Sequence, residues 1–437
     1  MIRKWMITGT GLISMALMLC ACAPCGWAAP QEKPAYTMAE YNAYNAAAGE
    51  KNPEQRVKLL DDFVAKFPSS TLLPFAYRVY YKTYDELKSY PKTIQYADKL
   101  LALGDKLDAG AKLEALYIRT LAFNNSFNEK APDAKEQATR ARQTALEGLQ
   151  VLAQVPKPEG VTDAQFEENK KVPTVLFNYT AGYAALQLKD FKGAIDSFKA
   201  ALAGDPTGAV TYFRLGVAYL QMDPPQYMDG FWALARSVAL KGPGEAQVRA
   251  YLRNQLLRYQ QAACEKLLDA QMNELITLAA GSAERPDTYK IPSAADLQKA
   301  REETTNFISD LRAGGEKAKL VWLATCGLEF PEVAGKVIEV NAADPVVLKV
   351  YNGATPEEIE AATTPNMEVK IEGQPEAKRI QKDDPVQFSA TLVGYDPDPF
   401  MLHWEKAKVN REFIPEEKAQ PGSKRPGRRP PTKKPGR

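Results

Sequence analysis

Histidine is almost absent from this chain, and its absence limits the chemistry that the sequence can support. His403 is the single histidine among 437 residues. The sequence therefore excludes a histidine-rich metal site and any catalytic arrangement that needs two imidazoles. His403 lies between Leu402 and Trp404 in a predicted strand, on the face opposite to both, which is typical of a surface residue.

The usual motifs of nucleotide and acyl-transfer enzymes are also missing. The chain contains no glycine loop ending in Gly-Lys-Ser/Thr and no Gly-x-Ser-x-Gly elbow. Its carboxylates are plentiful, but they fall on predicted helical faces where they are solvated. We therefore expect no catalytic residues, no cofactor and no metal site.

Cysteine is scarce in the predicted mature protein. Three of the five cysteines, Cys20, Cys22 and Cys25, lie in or beside the N-terminal segment. The other two, Cys264 and Cys326, have two alternative interpretations. In the first, they form a disulfide in an oxidising compartment. In the second, they are two small buried hydrophobic residues.

The N-terminal segment, residues 1–28, is typical of an export signal. Two basic residues precede the apolar run Ile7–Leu19, which is too short for a comfortable membrane span of about 20 residues. One alternative is ordinary cleavage before Ala29. A second is a lipoprotein box that leaves Cys22 lipidated, and a retained membrane anchor is a third. We expect a protein that is exported to the periplasm, secreted or anchored to the membrane.

Negative charge dominates the chain once its C-terminus is set aside. Lys418–Arg437 carries eight basic and no acidic residues, so removing it changes the formal charge from +2 to −6. A mildly acidic body has no general attraction to nucleic acid. The proline-rich, basic tail is expected to be disordered because it cannot bury apolar surface. Two alternatives exist for the role of this tail: it contacts an anionic envelope polymer, or it has no partner.

The segment Val175–Gly208 has the spacing of small and aromatic residues that closely packed helices require. Small residues let two helices approach, large ones fill the gap, and proline ends the second helix. The residues at these positions are Gly182, Phe191, Ala194, Phe198, Ala201 and Pro206. The next segment begins at Ala209 and repeats the pattern, with Gly216 and Tyr219 at packing positions.

This period of 34 residues resembles the tetratricopeptide repeat, a pair of antiparallel helices. One pair cannot bury its apolar face alone, so the resemblance implies neighbouring pairs and an α-solenoid. We expect about five pairs before Leu240 and a continuous helical segment, Glu245–Leu278, as their cap. Solenoids of this family mostly bind other proteins.

In the resembled family, the first helix of each repeat lines a groove. The groove positions are apolar and aromatic here, and the candidate binding residues are Tyr179, Tyr183, Leu186, Phe213, Val217 and Leu220. Some members hold a peptide's terminal carboxylate with Lys and Asn at the positions of Tyr179 and Tyr183, so that mode is not expected. An apolar groove suits an amphipathic helix or extended peptide. Alternatively, the helix from Glu245 or an upstream helix fills it.

The hydrophobic period changes near the C-terminus. After a predicted helix at Ala294–Arg312, alternating residues predict strands with one buried and one wet face. The strands are Val333–Val340, Val346–Tyr351, Met367–Glu372, Val386–Val393 and Phe400–Val409. Thr355 begins a short helix between the second and third strands. The pattern resembles a small oligonucleotide/oligosaccharide-binding (OB) barrel, and a β-sandwich is the alternative.

The sequence therefore predicts a mainly α protein. Its predicted parts are a signal peptide (1–28), a repeat domain (35–285), a helical connector (286–328), a small all-β domain (329–413) and a basic tail (414–437). We expect a non-catalytic scaffold that binds proteins or peptides of the cell envelope. The alternative function is binding of a glycan or oligonucleotide by the β domain.

Overall fold

A computed structural model describes residues 35–304 and 306–416, which form two compact units. The first unit is built by the chain up to Arg253 together with Met272–Lys290. The second is built by Asn254–Gln271 and by the chain from Ile291 onward. The predicted signal peptide with Cys22, and the tail from residue 417, lie outside the described residues.

Helices build the first unit. Their bounds are α1 Met38–Gly49, α2 Pro53–Lys66, α3 Leu73–Glu86, α4 Tyr90–Leu101, α5 Ala109–Ser126, α6 Ala134–Gln154, α7 Asp163–Gln187, α8 Phe191–Gly204, α9 Ala209–Gln221 and α10 Tyr227–Ala239. Two further helices, α11 Glu245–Gln260 and α12 Glu265–Gly281, contribute residues to both units.

Local sequence explains where several helices begin and end. Thr37 opens α1 with a capping box, in which its hydroxyl accepts from the Glu40 amide and the Glu40 carboxylate accepts from the Thr37 amide. Three tight turns place a lysine in the left-handed region directly after a helix. These are Lys88, Lys189 and Lys241, with φ of 56°, 61° and 52°. A left-handed residue at this position ends a helix and reverses the chain.

The helices pack in the order of a solenoid. Each helix from α1 to α10 contacts the next, and the alternate helices α1, α3, α5, α7 and α9 also contact one another in turn. Short connections make successive helices antiparallel. Separate small cores follow one another along the unit, as expected when each helix pair touches only its neighbours.

The second unit contains a closed barrel of five strands. Its helices are α13 Ala294–Glu303, α14 Phe307–Ala313, α15 Gly315–Thr325 and α16 Pro356–Ala361, and its strands are β1 Glu329–Asn341, β2 Val346–Tyr351, β3 Met367–Ile371, β4 Pro385–Pro397 and β5 Phe400–Val409. The strand order is β1-β2-β3-β5-β4, with β4 returning to β1. β3 and β5 are parallel, and the other neighbours are antiparallel.

Alternate residues of each strand point into the barrel. The interior contains Trp404, which is almost fully buried against Phe388. Phe307 of α14 contacts the rings of Phe330 and Trp404 at 5.5 and 6.4 Å, so this helix covers part of the barrel. Cys264 and Cys326 form a disulfide with their Cα atoms 5.4 Å apart, a separation typical of this bond.

The predicted fold class, a helical solenoid followed by a small all-β domain, is confirmed, and of the two β alternatives the structure has the barrel. Two predicted helices are wrong in extent. The segment Glu245–Leu278 is interrupted at 261–264, where Gln261 takes a left-handed φ of 50°. The helix predicted at Ala294–Arg312 is likewise two helices, α13 and α14, and Asn306 caps the second one.

Candidate functional site

The glycines predicted at helix contacts lie where a side chain has no room. A Cβ atom at Gly182 would be 2.7 Å from Cδ1 of Phe198. A Cβ atom at Gly216 would be 2.8 Å from Cγ of Leu234 and 2.9 Å from the carbonyl oxygen of Gly230. These close approaches bring α7 against α8, and α9 against α10.

Three other predicted residues occupy the same interfaces, and Pro206 follows the end of α8. Ala194 and Ala201 are buried on α8 on either side of Phe198. Tyr219 is buried on α9, with the Lys199 ammonium 5.7 Å from its ring centroid. Pro206 is exposed and follows the end of α8. This is the place at the end of the second helix where the sequence predicts it.

The six candidate binding residues lie on α7 and α9, and they are buried to different degrees. Tyr183 is only 6% exposed, and its ring lies 5.5 Å from that of Phe127. The remaining five are half-buried: Tyr179, Leu186, Phe213, Val217 and Leu220. Tyr183 is thus part of the hydrophobic core, while the other five candidate residues keep accessible surface.

The chain itself occupies part of the α9 surface. The ring of Phe213 meets Tyr251 of α11 edge-on at 6.0 Å. The side chain of Leu220 lies against Gly230, where a Cβ atom would be 2.7 Å from the leucine Cγ. The helix that follows the repeats therefore covers part of Phe213, while Val217 lies between these two contacts on the same helix.

Arg214 joins the two tyrosines of α7 into what we call the tyrosine–arginine cluster (Glu129, Tyr179, Tyr183 and Arg214). The guanidinium carbon of Arg214 is 3.3 Å from the ring centroid of Tyr183 and 5.5 Å from that of Tyr179. Such a cation–π contact contributes about 0.5–2 kcal/mol. Glu129, from the α5–α6 connection, accepts hydrogen bonds from the Tyr183 hydroxyl at 3.0 Å and from Gln187 Nε2 at 3.1 Å.

Burial and charge act in opposite directions on the two tyrosines. Burial raises the pKa of the Tyr183 hydroxyl, and the Arg214 cation opposes the rise. Burial also raises the pKa of Tyr179, and Arg214 again opposes it. Both hydroxyls are therefore protonated at neutral pH and can donate hydrogen bonds. Because Tyr183 is buried and its hydroxyl donates to Glu129, the cluster can offer a partner the ring and hydroxyl of Tyr179 and the guanidinium of Arg214.

Sequence reasoning missed Arg214 and the neighbouring Glu129. Arg214 follows the groove position of Phe213 by one residue and had no predicted role. Glu129 lies in a predicted loop 54 residues upstream of Tyr183. An aromatic row with a single adjacent arginine is the only signal that the sequence offers for this cluster.

A second concave surface lies between α8, α9 and α10 and is closed by residues 283–287. This cleft has a volume of about 530 Å³. Its floor is aromatic and buried, with Tyr212, Tyr219 and Trp232. Its rim is charged, and Arg285 pairs there with Asp229 at 3.1 Å. Residue spacing did not predict the cleft, because the closing segment comes from beyond α12.

The barrel presents its histidine on the outside. His403 Nε2 lies 2.9 Å from Asp396 Oδ2, and Nδ1 lies 3.6 Å from Glu368 Oε1. The two carboxylates flank opposite sides of the ring, so they do not converge on one point. Within residues 35–304 and 306–416, no group of three or more His, Cys, Asp and Glu side chains is arranged to hold a metal ion.

A pocket of about 440 Å³ lies beside the barrel, between the start of α14 and the segment after β2. Arg312 and Glu358 are its charged lining residues, but Arg312 lies over the Phe400 ring at 4.8 Å and Glu358 accepts from the Ala354 amide. Neither the pocket nor the His403 surface favours the glycan or oligonucleotide alternative.

In the part of the chain that is described, no helix is both long and apolar enough to cross a membrane.

No protein-family model and no curated protein matches this chain. Among solved structures, it is similar to a MamA RS-1 double mutant at 18% identity over 48% of this chain and 97% of the other, with a TM-score of 0.33. MamA from Desulfovibrio magneticus RS-1 is 19% identical over 47% and 93%, with a TM-score of 0.32. TTC0263, a thermophilic TPR protein of Thermus thermophilus, is 15% identical over 50% and 99%, with a TM-score of 0.28. With TM-scores this low, the similarities carry no argument about function.

Proposed function

We propose that this chain is an exported, non-catalytic scaffold that binds proteins or peptides of the cell envelope on helices α7 and α9. The observation that carries the proposal is a row of apolar side chains, Tyr179, Phe213 and Val217, which are only half-buried on alternate helices of the solenoid. Rigid aromatic area of this kind is enriched where proteins meet. It offers anchoring surface to an amphipathic helix or an extended peptide.

The disulfide supports the exported part of the proposal. Cys264 and Cys326 are separated by 62 residues and are joined within the second unit. Disulfides persist in oxidising compartments such as the periplasm and are rare in the cytosol. Together with the apolar N-terminal run, the bond favours export over a cytosolic location.

Two finer parts of the proposal concern the ends of the chain. A lipid on Cys22 would anchor the scaffold to a membrane, while cleavage before Ala29 would release it. The basic tail, with its eight positive charges, would attract an anionic envelope polymer. Mass spectrometry of the N-terminus in each cell fraction distinguishes a lipid on Cys22 from cleavage before Ala29. An intact chain beginning at Met1 in the cytoplasm would contradict export.

A photo-crosslinking residue placed on the proposed surface tests binding directly. We would introduce it at Val217, and at the exposed Ala200 of α8 as the control position. We expect a discrete partner crosslinked at Val217 and not at Ala200. At a temperature where both proteins are folded, the same crosslink should weaken when Tyr179→Ala removes an aromatic anchor. Equal crosslinking at both positions, or none at Val217, would contradict the proposed surface.

A further inference from the structure

Acidic residues are concentrated in the barrel. Residues 329–416 contain 17 acidic and nine basic residues, which gives a net charge of −8. The helical part before them, residues 35–328, contains 35 acidic and 36 basic residues and is nearly neutral. The tail Lys418–Arg437 carries eight positive charges. The excess negative charge that this chain offers to its tail is therefore in the barrel, which directly precedes the tail.

The last described residues already lie on the barrel. After β5, Phe413 and Ile414 pack against the barrel core. Arg379 Nη1 donates to the carbonyl oxygen of Pro415 at 3.1 Å, so the tail begins beside the segment that connects β3 to β4. The 21 residues after Glu416 span at most roughly 70 Å when extended. A domain of the barrel's length is about 30 Å across, and the tail can therefore reach any side of it.

One side of the barrel combines carboxylates from α16 and from the turn before β4. We call it the α16 surface, and its carboxylates are Glu357, Glu358, Glu360, Asp383 and Asp384. Lys336 of β1 joins the two segments, because its Nζ donates to the Glu360 carbonyl oxygen at 2.8 Å and lies 3.2 Å from Asp383 Oδ1. Four of the five residues are exposed, and Asp384 is half-buried. Among described residues, only the Asp383 carboxylate of this surface is in an ion pair.

Carboxylates on the barrel strands more often have cations of their own. Glu405 of β5 pairs with Lys370 at 3.1 Å, and Glu339 of β1 pairs with Lys349 at 3.0 Å. The α16 surface has one paired cation for five carboxylates. It also includes the end of the β3–β4 connection, the same segment whose Arg379 holds the start of the tail. Charge and position therefore favour the same side of the barrel.

We propose that the tail, Lys418–Arg437, docks on the α16 surface of its own barrel. Exposed ion pairs are individually weak, so several lysines and arginines share the contact. Covalent attachment strengthens it, because a short linker holds the tail near the surface at an effective concentration in the millimolar range. The five prolines of the tail reduce the conformational entropy that is lost on docking.

Docking within the chain changes how the tail meets an anionic polymer. A polymer has to displace the barrel carboxylates before it binds the tail. Its apparent affinity is then reduced by the fraction of molecules in which the tail is free. This inference is independent of the surface on α7 and α9.

A crosslinker that joins amines directly to carboxylates tests the contact in the full chain. A carbodiimide links the two groups only where they touch, and mass spectrometry locates the bond. We expect crosslinks at low salt, within the monomer, between the α16 surface and the tail lysines, which are Lys418, Lys424, Lys433 and Lys434. At about 1 M salt the Debye length falls to about 3 Å, and the crosslinks should decrease about fivefold or more.

The crosslinking result can also overturn the proposal. Crosslinks spread evenly over the other carboxylates of the barrel would mean that the α16 surface has no special role. Crosslinks only between two molecules would contradict docking within one chain. If the tail lysines form no crosslink, the tail has no partner on the barrel.

Two matched double variants add a second readout. Glu357→Gln with Glu360→Gln removes two charges from the α16 surface, and Glu329→Gln with Glu332→Gln removes two exposed charges from the start of β1. The net charge changes equally, so any difference reports the place of the charges. We expect sodium polyphosphate, used as an anionic probe, to bind the α16 variant about threefold or more tightly than the β1 variant. Thermal melts establish that both are folded, and equal binding would overturn the proposal.

Discussion

At the scale of single residues, close helix contacts in the repeats depend on the absence of side chains. Gly216 is the sharper case, since one of the atoms that a Cβ would approach is the backbone oxygen of Gly230. A side chain can rotate away from a new neighbour, but a helix backbone moves only with the whole helix.

We therefore expect Gly216→Val to reduce the free energy of unfolding by about 1–3 kcal/mol through overpacking. Chemical denaturation of the purified protein measures the change. Gly49→Val is the matched control, because a Cβ at Gly49 meets nothing within 4 Å. Equal stabilities of the two variants would mean that α9 and α10 do not approach as closely as described.

The fold should become more stable when glycine replaces Lys189. It takes a left-handed φ of 61° in the exposed turn between α7 and α8. Glycine adopts this conformation without the steric cost of a Cβ, so Lys189→Gly should stabilise the fold by about 0.5–1 kcal/mol. A lower melting temperature for the glycine variant would indicate that the lysine side chain makes a stabilising contact.

Asp190 links the start of α8 to α6 and carries a prediction about pH. Its carboxylate accepts from the Gly193 amide and from Arg142, and these contacts, led by the amide, lower its pKa. A lowered pKa stabilises the folded state above the unfolded value of about 3.9, and the contribution is lost as pH falls through the folded value. Asp190→Ala should cost about 0.5–2 kcal/mol at neutral pH.

The difference between wild type and Asp190→Ala should shrink in acid, as measured by denaturation near pH 3 and pH 7. Asp190→Asn is the informative control, since asparagine caps a helix but has no charge. The carboxylate is 40% exposed, so its charge should add little beyond the cap. A constant difference at both pH values would contradict the assigned role.

At the scale of helices and strands, the sequence predicts the features that depend on residues close together in the chain. The repeat at Val175–Gly208 was recognisable because the packing positions follow helical spacing, and strand alternation reflects which face is buried. The start of α7 at Asp163 was missed, since Pro173 normally argues against a helix interior. The break after α11 was also missed, because it depends on Gln261 taking a left-handed conformation.

The contacts that build the candidate sites come from distant segments, and spacing carries no record of them. Arg214 of α9 lies over the ring of Tyr183 of α7, and Glu129 of the earlier α5–α6 connection accepts a hydrogen bond from the Tyr183 hydroxyl. The apolar character of the row could be predicted, but not the burial of Tyr183 or the contact of Phe213 with Tyr251. Strand alternation left the barrel and the sandwich open, because only the strand order distinguishes them.

At the scale of the whole molecule, the two units should respond differently to reduction. Both cysteines of the disulfide belong to the second unit, and the bond closes a long loop. Cys264→Ser with Cys326→Ser should lower the stability of that unit by about 2–4 kcal/mol and leave the first unit unchanged. Hydrogen exchange resolves the units separately. Equal loss of protection in both units would contradict this prediction.

The central claim is that helices α7 and α9 present a docking surface rather than only a core. The most direct test selects a peptide against the full chain from a random library displayed on phage. It then measures the affinity of that peptide for Tyr179→Ala and for wild type, together with both melting curves. We expect binding to weaken about tenfold or more at a temperature where both proteins are folded, because an interface anchor is lost. Unchanged affinity, or a loss that follows only the unfolded fraction, would identify Tyr179 as part of the core and contradict the account.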